Sequence, residues 1–280
     1  MREKVTIQKL RDKALSGEKI TMMTAYDYPL ARLEEKAGMD VILCGDSVNM
    51  TVYGYDNTLN IGMDVMVRHA QAVRRGAPAA FLVGDMPYMS YQVSPEEAIR
   101  NASRFMAEAG CDAVKIEGGA EVAETAAAMV KATIPVMGHL GLTPQSIAQL
   151  GGFKSQGRDL AAAQKIIDDT AALTAAGVSL MVLEAVPPEV GCLVAERAGI
   201  PVIGIGAGPH VHGQLLIVHD ALGFYSPFVP KFVKQFADLD AIISEALARY
   251  VREVRGGVYP AEEHCYQAKT GETEKILREI

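Results

Sequence analysis

The stretch VILCGDSVNM, residues 41–50, joins an apolar run to an abrupt polar ending. An uninterrupted apolar run of this kind is typical of a strand that is buried on both faces, as in a parallel sheet. Asp46 follows the run directly and has two interpretations. It could cap a helix, since Asp and Ser are common at helix starts, or it could lie where the strand opens onto a functional site. Burying an unpaired carboxylate is costly, so the second interpretation requires other polar groups at the same place.

The composition indicates a reduced, intracellular protein with a large core. The chain has 280 residues, of which 49% are hydrophobic. A net charge of −7 and a pI near 5.4 argue against nucleic-acid binding, and no block of Lys and Arg is present. The charged first twenty residues lack a signal core, and no apolar run is long enough for a membrane span. The four cysteines show no CxxC spacing. We therefore expect a cytoplasmic protein with no nucleic-acid or membrane partner.

Apolar runs and helical patterns alternate along the chain. The runs predict strands at residues 20–25, 41–44, 79–83, 113–116, 134–137, 179–183, 202–205 and 215–218. The main helical patterns cover residues 29–37, 63–75, 95–109, 122–131 and 160–176. Eight strands that alternate with helices indicate a parallel sheet, and the length favours a closed (β/α)8 TIM barrel over an open doubly wound sheet. We expect one barrel domain over residues 1–266, with a short N-terminal helix, and a charged tail over residues 267–280.

Ionisable side chains end five successive predicted strands. They are Asp46, Asp85, the pair Lys115 and Glu117, His139 and Glu184. In a barrel the carboxyl ends of the strands form one ring, where catalytic groups gather. A shared site explains five such endings better than five separate helix caps, so we expect Asp46 to belong to an active site.

Asp46, Asp85 and Glu117 would come from neighbouring strands. Three converging carboxylates repel one another unless a positive charge compensates them. Oxygen ligands without clustered Cys or His suit Mg²⁺, so these three acids are candidate metal ligands. The alternative is that Lys115 alone neutralises the cluster.

Lys115 lies two residues before Glu117, so both side chains point to the same face of the sheet. Lys115 is placed to hold a substrate carboxylate or to neutralise an enolate. It could also form only an ion pair with Glu117. A Schiff-base role would need a depressed pKa, and the nearby carboxylates favour the ammonium form instead.

Glu184 ends a very apolar strand and is far in sequence from Asp46 and Asp85, so we expect it across the ring from them. Apolar neighbours raise the pKa of a carboxyl group, which makes Glu184 a candidate general base, although a structural pairing is also open. His139 could donate a hydrogen bond to substrate or simply pack.

Two glycine-containing loops each have two interpretations, as ligand-binding segments or as structural ones. The glycines of residues 204–208 would allow close backbone approach to a ligand, but they do not form a dinucleotide fingerprint. The cationic loop 151–158 could be a lid, an anion clamp or an ordinary surface loop.

Six short stretches are distributed in order over nearly the whole chain: TAYD (24–27), GDS (45–47), KIEGG (115–119), GHLGLTPQ (138–145), PVIGIGAG (201–208) and GVYP (257–260). Together they resemble the ketopantoate hydroxymethyltransferase family. The resemblance implies a barrel of the phosphoenolpyruvate/isocitrate-lyase type that depends on Mg²⁺ and often assembles as a homodecamer. It also implies transfer of a hydroxymethyl group from 5,10-methylenetetrahydrofolate to 3-methyl-2-oxobutanoate, through a magnesium-stabilised enolate, to form ketopantoate for pantothenate biosynthesis.

The resemblance also assigns roles to residues. The residues that resemble the family's metal-site acids are Asp46, Asp85 and Glu117, and Glu184 resembles its proton acceptor. The residues that resemble the family's keto-acid binders are Asp46, Ser47, Asp85 and Lys115. Asn49 stands where the family usually has Gly, and His212 stands where Asp is usual; we expect both near the rim of the site or in its loops.

Two other functions remain open at this point. A lyase of the same superfamily would cleave a carbon–carbon or carbon–phosphorus bond with the same metal and acids. A lyase of the isocitrate type is expected to carry a reactive Cys on a mobile loop, and loop 151–158 has none. A non-catalytic barrel that only binds a keto acid is expected to have lost Glu184 or an aspartate, and all are present.

Overall fold

The computed structural model describes residues 2–225 and 228–280, and its centre is a closed barrel of eight parallel strands. The strands are β1 (Ile20–Thr24), β2 (Val41–Cys44), β3 (Phe81–Asp85), β4 (Ala113–Glu117), β5 (Val136–Gly141), β6 (Leu180–Glu184), β7 (Val202–Ile205) and β8 (Gly213–Leu216). Each strand pairs with the next one along the chain, and β8 closes on β1. The predicted (β/α)8 barrel is confirmed.

Helices separate most of the strands. They are α1 (Ile7–Ser16), α2 (Tyr28–Ala37), α3 (Val48–Thr51), α4 (Met63–Gly76), α5 (Pro95–Ala107), α6 (Ala123–Lys131), α7 (Ile147–Leu150), α8 (Leu160–Ala175), α9 (Pro188–Ala198), α10 (Val218–Leu222), α11 (Leu239–Arg255) and α12 (Thr273–Glu279). No helix of the described residues is long and apolar enough to cross a membrane.

Local side-chain chemistry sets where several helices begin and end. Asp27, Ser94 and Asp159 accept hydrogen bonds from first-turn backbone N–H groups of α2, α5 and α8, which satisfies donors that a helix start leaves free. Gly17 and Gly38 follow α1 and α2 with φ of +78° and +89°, a conformation that strongly favours glycine.

The barrel interior has an apolar layer with a charged layer above it. Because inward side chains recur every second residue, the polar strand ends continue the apolar inward rows: Val83 and Asp85 on β3, Ala113, Lys115 and Glu117 on β4, Met137 and His139 on β5, and Val182 and Glu184 on β6. The alternation of the strands therefore carries the ionisable groups into the barrel mouth.

Six strands differ from their predicted bounds, and β3, β5 and β8 differ by more than one residue at an end. The structure has β3 at Phe81–Asp85 where residues 79–83 were expected, and it extends β5 to Gly141 and moves β8 to Gly213–Leu216. The reason is pairing with neighbours, since Asp85 is in register with Lys115 and Gly141 with Glu184. A prediction from hydropathy ends a strand at its first polar residue, whereas the hydrogen-bonded pairing of the strands continues to the residues of the site.

The barrel wall has no helix between β7 and β8, which the loop 206–212 connects. His212 lies in this loop, accepts a hydrogen bond from Val202 N and leads into β8. This position is at the amino-terminal end of the strands, so the expectation that His212 lies near the site rim was wrong. Sequence order does not reveal that this short loop crosses back to the opposite end of the barrel.

The C-terminal region lies outside the core. No residue of α11 is buried, although Ile243, Leu247 and Tyr250 are apolar or aromatic and lie on a helical spacing. The predicted charged tail contains the short helix α12, which is also exposed. The long helix after β8 therefore does not cover its own barrel.

Glu34 on α2 is a buried carboxylic acid outside the barrel mouth. Its side chain is buried and neither carboxylate oxygen has a hydrogen-bond partner among the described residues. Burial, helped by the negative charge of Asp27, raises the pKa of Glu34 to about 8. In the folded state Glu34 thus stays protonated over a pH range in which it is ionised in the unfolded chain.

We predict that Glu34→Gln changes the pH dependence of stability. The parent chain should lose stability relative to the variant as pH rises from about 4.5 towards 8, by about 1.4 kcal/mol per pH unit, because only the unfolded state ionises there. Urea unfolding between pH 5 and 8.5 measures this difference. The exposed Glu124→Gln is the control, and parallel curves for parent and Glu34→Gln would contradict the assignment.

Candidate active site

A cavity of about 410 Å³ opens at the carboxyl ends of the barrel strands. All seven candidate residues line it: Asp46, Ser47, Asp85, Lys115, Glu117, His139 and Glu184. The structure therefore brings together side chains that lie up to 138 residues apart in the chain, from Asp46 to Glu184. The five strand ends share one site.

Lys115 is at the centre of the charged groups. Its Nζ lies 2.8 Å from Asp85 Oδ1 and 3.1 Å from Glu117 Oε1, and the side chain is almost completely buried. Burial opposes the charge on this ammonium, but Asp85 and Glu117 outweigh it and raise the pKa of Lys115 well above its usual value. A Schiff-base lysine needs the opposite shift, so the geometry favours a permanent cation.

His139 connects Glu117 to Glu184. Its Nδ1 lies 3.2 Å from Glu117 Oε1, and its Nε2 lies 3.2 Å from Glu184 Oε2. The second contact has the distance of an ion pair but lacks hydrogen-bond alignment, since Nε2 is buried and has no aligned partner among the described residues. Burial and Lys115 lower the pKa of His139, yet Glu117 outweighs both and raises it to about 9. His139 is therefore an imidazolium at neutral pH.

Glu117 is the most strongly satisfied carboxylate of the site. Burial raises its pKa, but Lys115 and His139 outweigh burial and lower it to about 2. Its Oε2 also accepts a hydrogen bond from Gln145 N at 2.9 Å. Glu117 is thus an anion that fixes the two cations of the site.

Glu184 lies on the opposite side of the cavity from the aspartates. It comes from β6, whereas Asp46 follows β2 and Asp85 ends β3. The side chain of Glu184 retains 14% exposure. Its surroundings are less apolar than its strand suggests, because the His139 ring lies beside it.

Asp46 and Asp85 lie against each other. Asp85 Oδ2 accepts from Asp46 N at 3.0 Å, and Asp46 Oδ2 accepts from Gln145 Nε2 at 2.9 Å. Burial raises the pKa of Asp46 well above its usual value, and the charges of Asp85 and Glu117 add to this shift. Burial also raises the pKa of Asp85, against the effect of Lys115. The Asp46 side chain thus faces site residues and does not cap α3.

Gln145 and Tyr91 are site residues to which the sequence assigned no role. Gln145 Nε2 donates to Asp46 and to Met86 O, and its Oε1 lies 2.8 Å from the hydroxyl of Tyr91. That hydroxyl accepts from Glu117 N at 3.0 Å. The Thr143-Pro144-Gln145 sequence, one residue beyond the end of β5, was the available signal for Gln145.

Ser47 and Asn49 attach polar groups to the wall beside Asp46. Ser47 Oγ is 2.8 Å from Tyr26 Oη, which in turn accepts from Thr24 Oγ1. Asn49 is buried, and its amide donates to Asn57 O at 2.6 Å and to Asn60 Oδ1. Asn49 therefore ties the loop between α3 and α4 to the segment that carries Asp46.

The two glycine-containing loops have different positions. Phe153 and Ser155 of loop 151–158 line the cavity and Lys154 does not, although all three residues are exposed. In the stretch 204–208, a Cβ on Gly206 would lie 2.6 Å from the ring of Phe232, and Gly206 has φ of +69°. Gly206 thus permits close approach of an aromatic side chain of the protein itself.

The cavity wall at β7 and β8 has a different character from the wall at β2 to β4. Ile205, Leu215, Ile217 and Phe232 make it largely apolar. Asp220, from α10, and Lys231, next to Phe232, are charged side chains that also line this part of the cavity. The cavity consequently has a charged half and an apolar half.

Comparisons with known proteins identify the family. The family model for ketopantoate hydroxymethyltransferase matches residues 4–262. A 3-methyl-2-oxobutanoate hydroxymethyltransferase of Syntrophomonas wolfei subsp. wolfei is 53% identical over 266 residues, which are 95% of this chain and 96% of that protein.

Solved structures with low sequence identity share the fold. Phosphonopyruvate hydrolase in complex with oxalate and Mg²⁺ has a TM-score of 0.62 at 15% identity, covering 98% of this chain and 96% of that one. A 2,3-dimethylmalate lyase of the PEP mutase/isocitrate lyase superfamily has a TM-score of 0.59 at 16% identity, covering 97% and 93%. These likenesses show that this chain shares the fold of those proteins. From its sequence, this chain belongs to the ketopantoate hydroxymethyltransferase family.

Proposed function

We propose that this chain transfers a hydroxymethyl group from 5,10-methylenetetrahydrofolate to 3-methyl-2-oxobutanoate and so forms ketopantoate for pantothenate biosynthesis. Family membership supports the transferase activity and the keto-acid acceptor. The observation that carries the mechanism is Lys115, a buried ammonium between Asp85 and Glu117 in the same cavity as Glu184.

The charged half of the cavity suits an anionic keto acid. Lys115 would bind the substrate carboxylate, and Ser47 would donate a hydrogen bond from the neighbouring wall. His139 holds Glu184 from one side, which would keep the Glu184 carboxylate over the acidic carbon of the substrate. Asp46 and Asp85 would contribute through a bound cation.

The residues present fit a divalent metal ion. Three buried acids, Asp46, Asp85 and Glu117, face one ammonium and one imidazolium. Ionisation of all three leaves one negative charge uncompensated, and an anionic substrate would add another. No three His, Cys, Asp or Glu side chains of residues 2–225 and 228–280 form a ready-made metal site. Carboxylate oxygens are nevertheless the ligand type that Mg²⁺ prefers. Asp46 and Asp85 would hold the ion, because Lys115 does not fully neutralise them. When bound there, Mg²⁺ would polarise the keto oxygen and acidify the neighbouring C–H group.

Glu184 would remove the proton from C3 of the substrate. Carbon C3 of the resulting enolate then forms a bond to the methylene carbon of the folate, whose bonds to nitrogen break, and water supplies the hydroxyl oxygen. Tetrahydrofolate leaves as the second product. Lys115 would bind the substrate carboxylate throughout, so that C3 and Glu184 keep their relative position.

We predict that Glu184→Gln abolishes proton exchange at C3 of 3-methyl-2-oxobutanoate in D₂O. Gln cannot accept the proton, so exchange should fall by roughly 10²–10⁴-fold. NMR with Mg²⁺ and without folate measures this step alone, and chelating the metal should also suppress it. Glu189→Gln is a control on α9. Full exchange by Glu184→Gln would exclude Glu184 as the base.

We predict no covalent adduct between Lys115 and the keto acid. Borohydride reduction of the enzyme with 3-methyl-2-oxobutanoate should leave the protein mass unchanged, because the ammonium form cannot attack the carbonyl. Lys115→Met should lose keto-acid binding and C3 exchange together. A reduced adduct that maps to Lys115 would establish the Schiff-base alternative.

We further propose that the chain acts in the cytoplasm as a homo-oligomer. The family resemblance implies that this oligomer is a decamer. Four unpaired cysteines support a reducing compartment. Two surfaces support contact with a second copy of the chain. One is the apolar face of α11, and the other is the outer face of β1 and β8, where Thr21 and Gln214 are exposed. A barrel normally buries such strands beneath a helix.

Leu247→Glu should reduce the size of the assembly. Charge on the apolar face of α11 would oppose its burial against another subunit. Sedimentation at micromolar concentration measures the change, with Glu245→Gln on the same helix as the control. A parent chain that sediments as a monomer would overturn the oligomer proposal.

A further inference from the structure

Asp220 is a buried acid in the half of the cavity that the keto-acid chemistry does not use. The residue is 6% exposed and lines the cavity together with Ile217 and Phe232. Its carboxylate receives no hydrogen bond from the residues that the structure describes. The other buried acids of the cavity each have a protein donor or cation beside them.

The Asp220 carboxylate lines the open cavity, so its hydrogen-bond donors come from water or from a ligand in the cavity. Burial raises the pKa of Asp220 to about 6, so the group is still an anion at pH 7.5. An ionised carboxylate only accepts hydrogen bonds, and its two oxygens can take two parallel N–H donors at once. Asp220 therefore selects a ligand with adjacent N–H groups.

The walls near Asp220 suit a flat ring. Ile205, Leu215 and Ile217 provide apolar contacts, and Phe232 is fixed against Gly206. Apolar and aromatic walls with few polar groups are typical of pockets for heterocyclic ligands. The ligand that fits Asp220 and these walls is thus a planar heterocycle with N–H donors on one edge.

The two halves of the cavity also suit the reaction. Glu184 lies on β6, between the charged wall of β2 to β4 and the apolar wall of β7 and β8. A keto acid at the charged wall would present C3 towards the centre of the cavity. A one-carbon donor must approach from the remaining side, which is the side of Asp220.

We propose that the cavity half formed by Ile217, Phe232 and Asp220 binds the pteridine ring of the folate donor, with the Asp220 carboxylate accepting hydrogen bonds from the ring N3–H and the 2-amino group. The proposal rests on the proposed function, since it takes the donor to be a folate. It assigns Asp220 to the co-substrate and not to proton removal.

Binding of tetrahydrofolate to the magnesium-loaded protein tests this assignment. Asp220→Asn keeps the shape of the side chain but removes the charge, and it should weaken binding by roughly 10- to 100-fold. The 2-desamino-2-methyl analogue of tetrahydrofolate lacks one donor, so its affinity should change much less between parent and variant. Asp12→Asn, at an exposed position of α1, should bind both compounds as the parent does.

C3 exchange of 3-methyl-2-oxobutanoate in D₂O separates this proposal from the proposed function. Asp220→Asn should exchange at the parental rate, because exchange needs no folate, and this result also establishes that the variant is folded. Parental affinity of Asp220→Asn for tetrahydrofolate, or loss of C3 exchange in a folded variant, would overturn the pteridine site. A parent that exchanges the C3 proton but binds no tetrahydrofolate would instead refute folate as the donor.

Discussion

The buried ammonium of Lys115 is the charge on which the rest of the site depends. It lies between Asp85 and Glu117, within the uppermost layer of side chains that point into the barrel. Removing one partner of a buried ion pair leaves an uncompensated charge, which typically costs about 3–5 kcal/mol. Glu117 in turn positions His139, and His139 positions Glu184. The orientation of the candidate base on β6 is thus set through the neighbouring strands β4 and β5.

The sequence predicted the elements of the barrel and the charged wall because both follow from short-range patterns. Apolar runs marked the strands, and the residue at the end of each run marked Asp46, Asp85 and Glu184. Gln145 escaped assignment because it acts through Asp46, 99 residues away, which only the folded chain makes visible. His212 was misplaced because a loop that crosses the barrel wall has no hydropathy signature.

The polarity of the cavity changes from one side of the barrel to the other. The charged wall orders its side chains through ion pairs and hydrogen bonds, which are directional, whereas the wall at β7 and β8 is shaped by packing. Two chemically different substrates can therefore meet without competing for the same partners. Asp220 is the acidic residue within this wall, and it marks the place where a ligand with paired donors would be recognised.

Asn49 has an evolutionary consequence. Its buried amide depends on two acceptors in the loop between α3 and α4, Asn57 O and Asn60 Oδ1. A substitution that moves either acceptor leaves a buried donor unsatisfied, at a cost of about 1–3 kcal/mol, three residues from Asp46. Substitutions at exposed positions of this loop are therefore constrained, because a change there can disturb Asn49 and, through it, the position of Asp46.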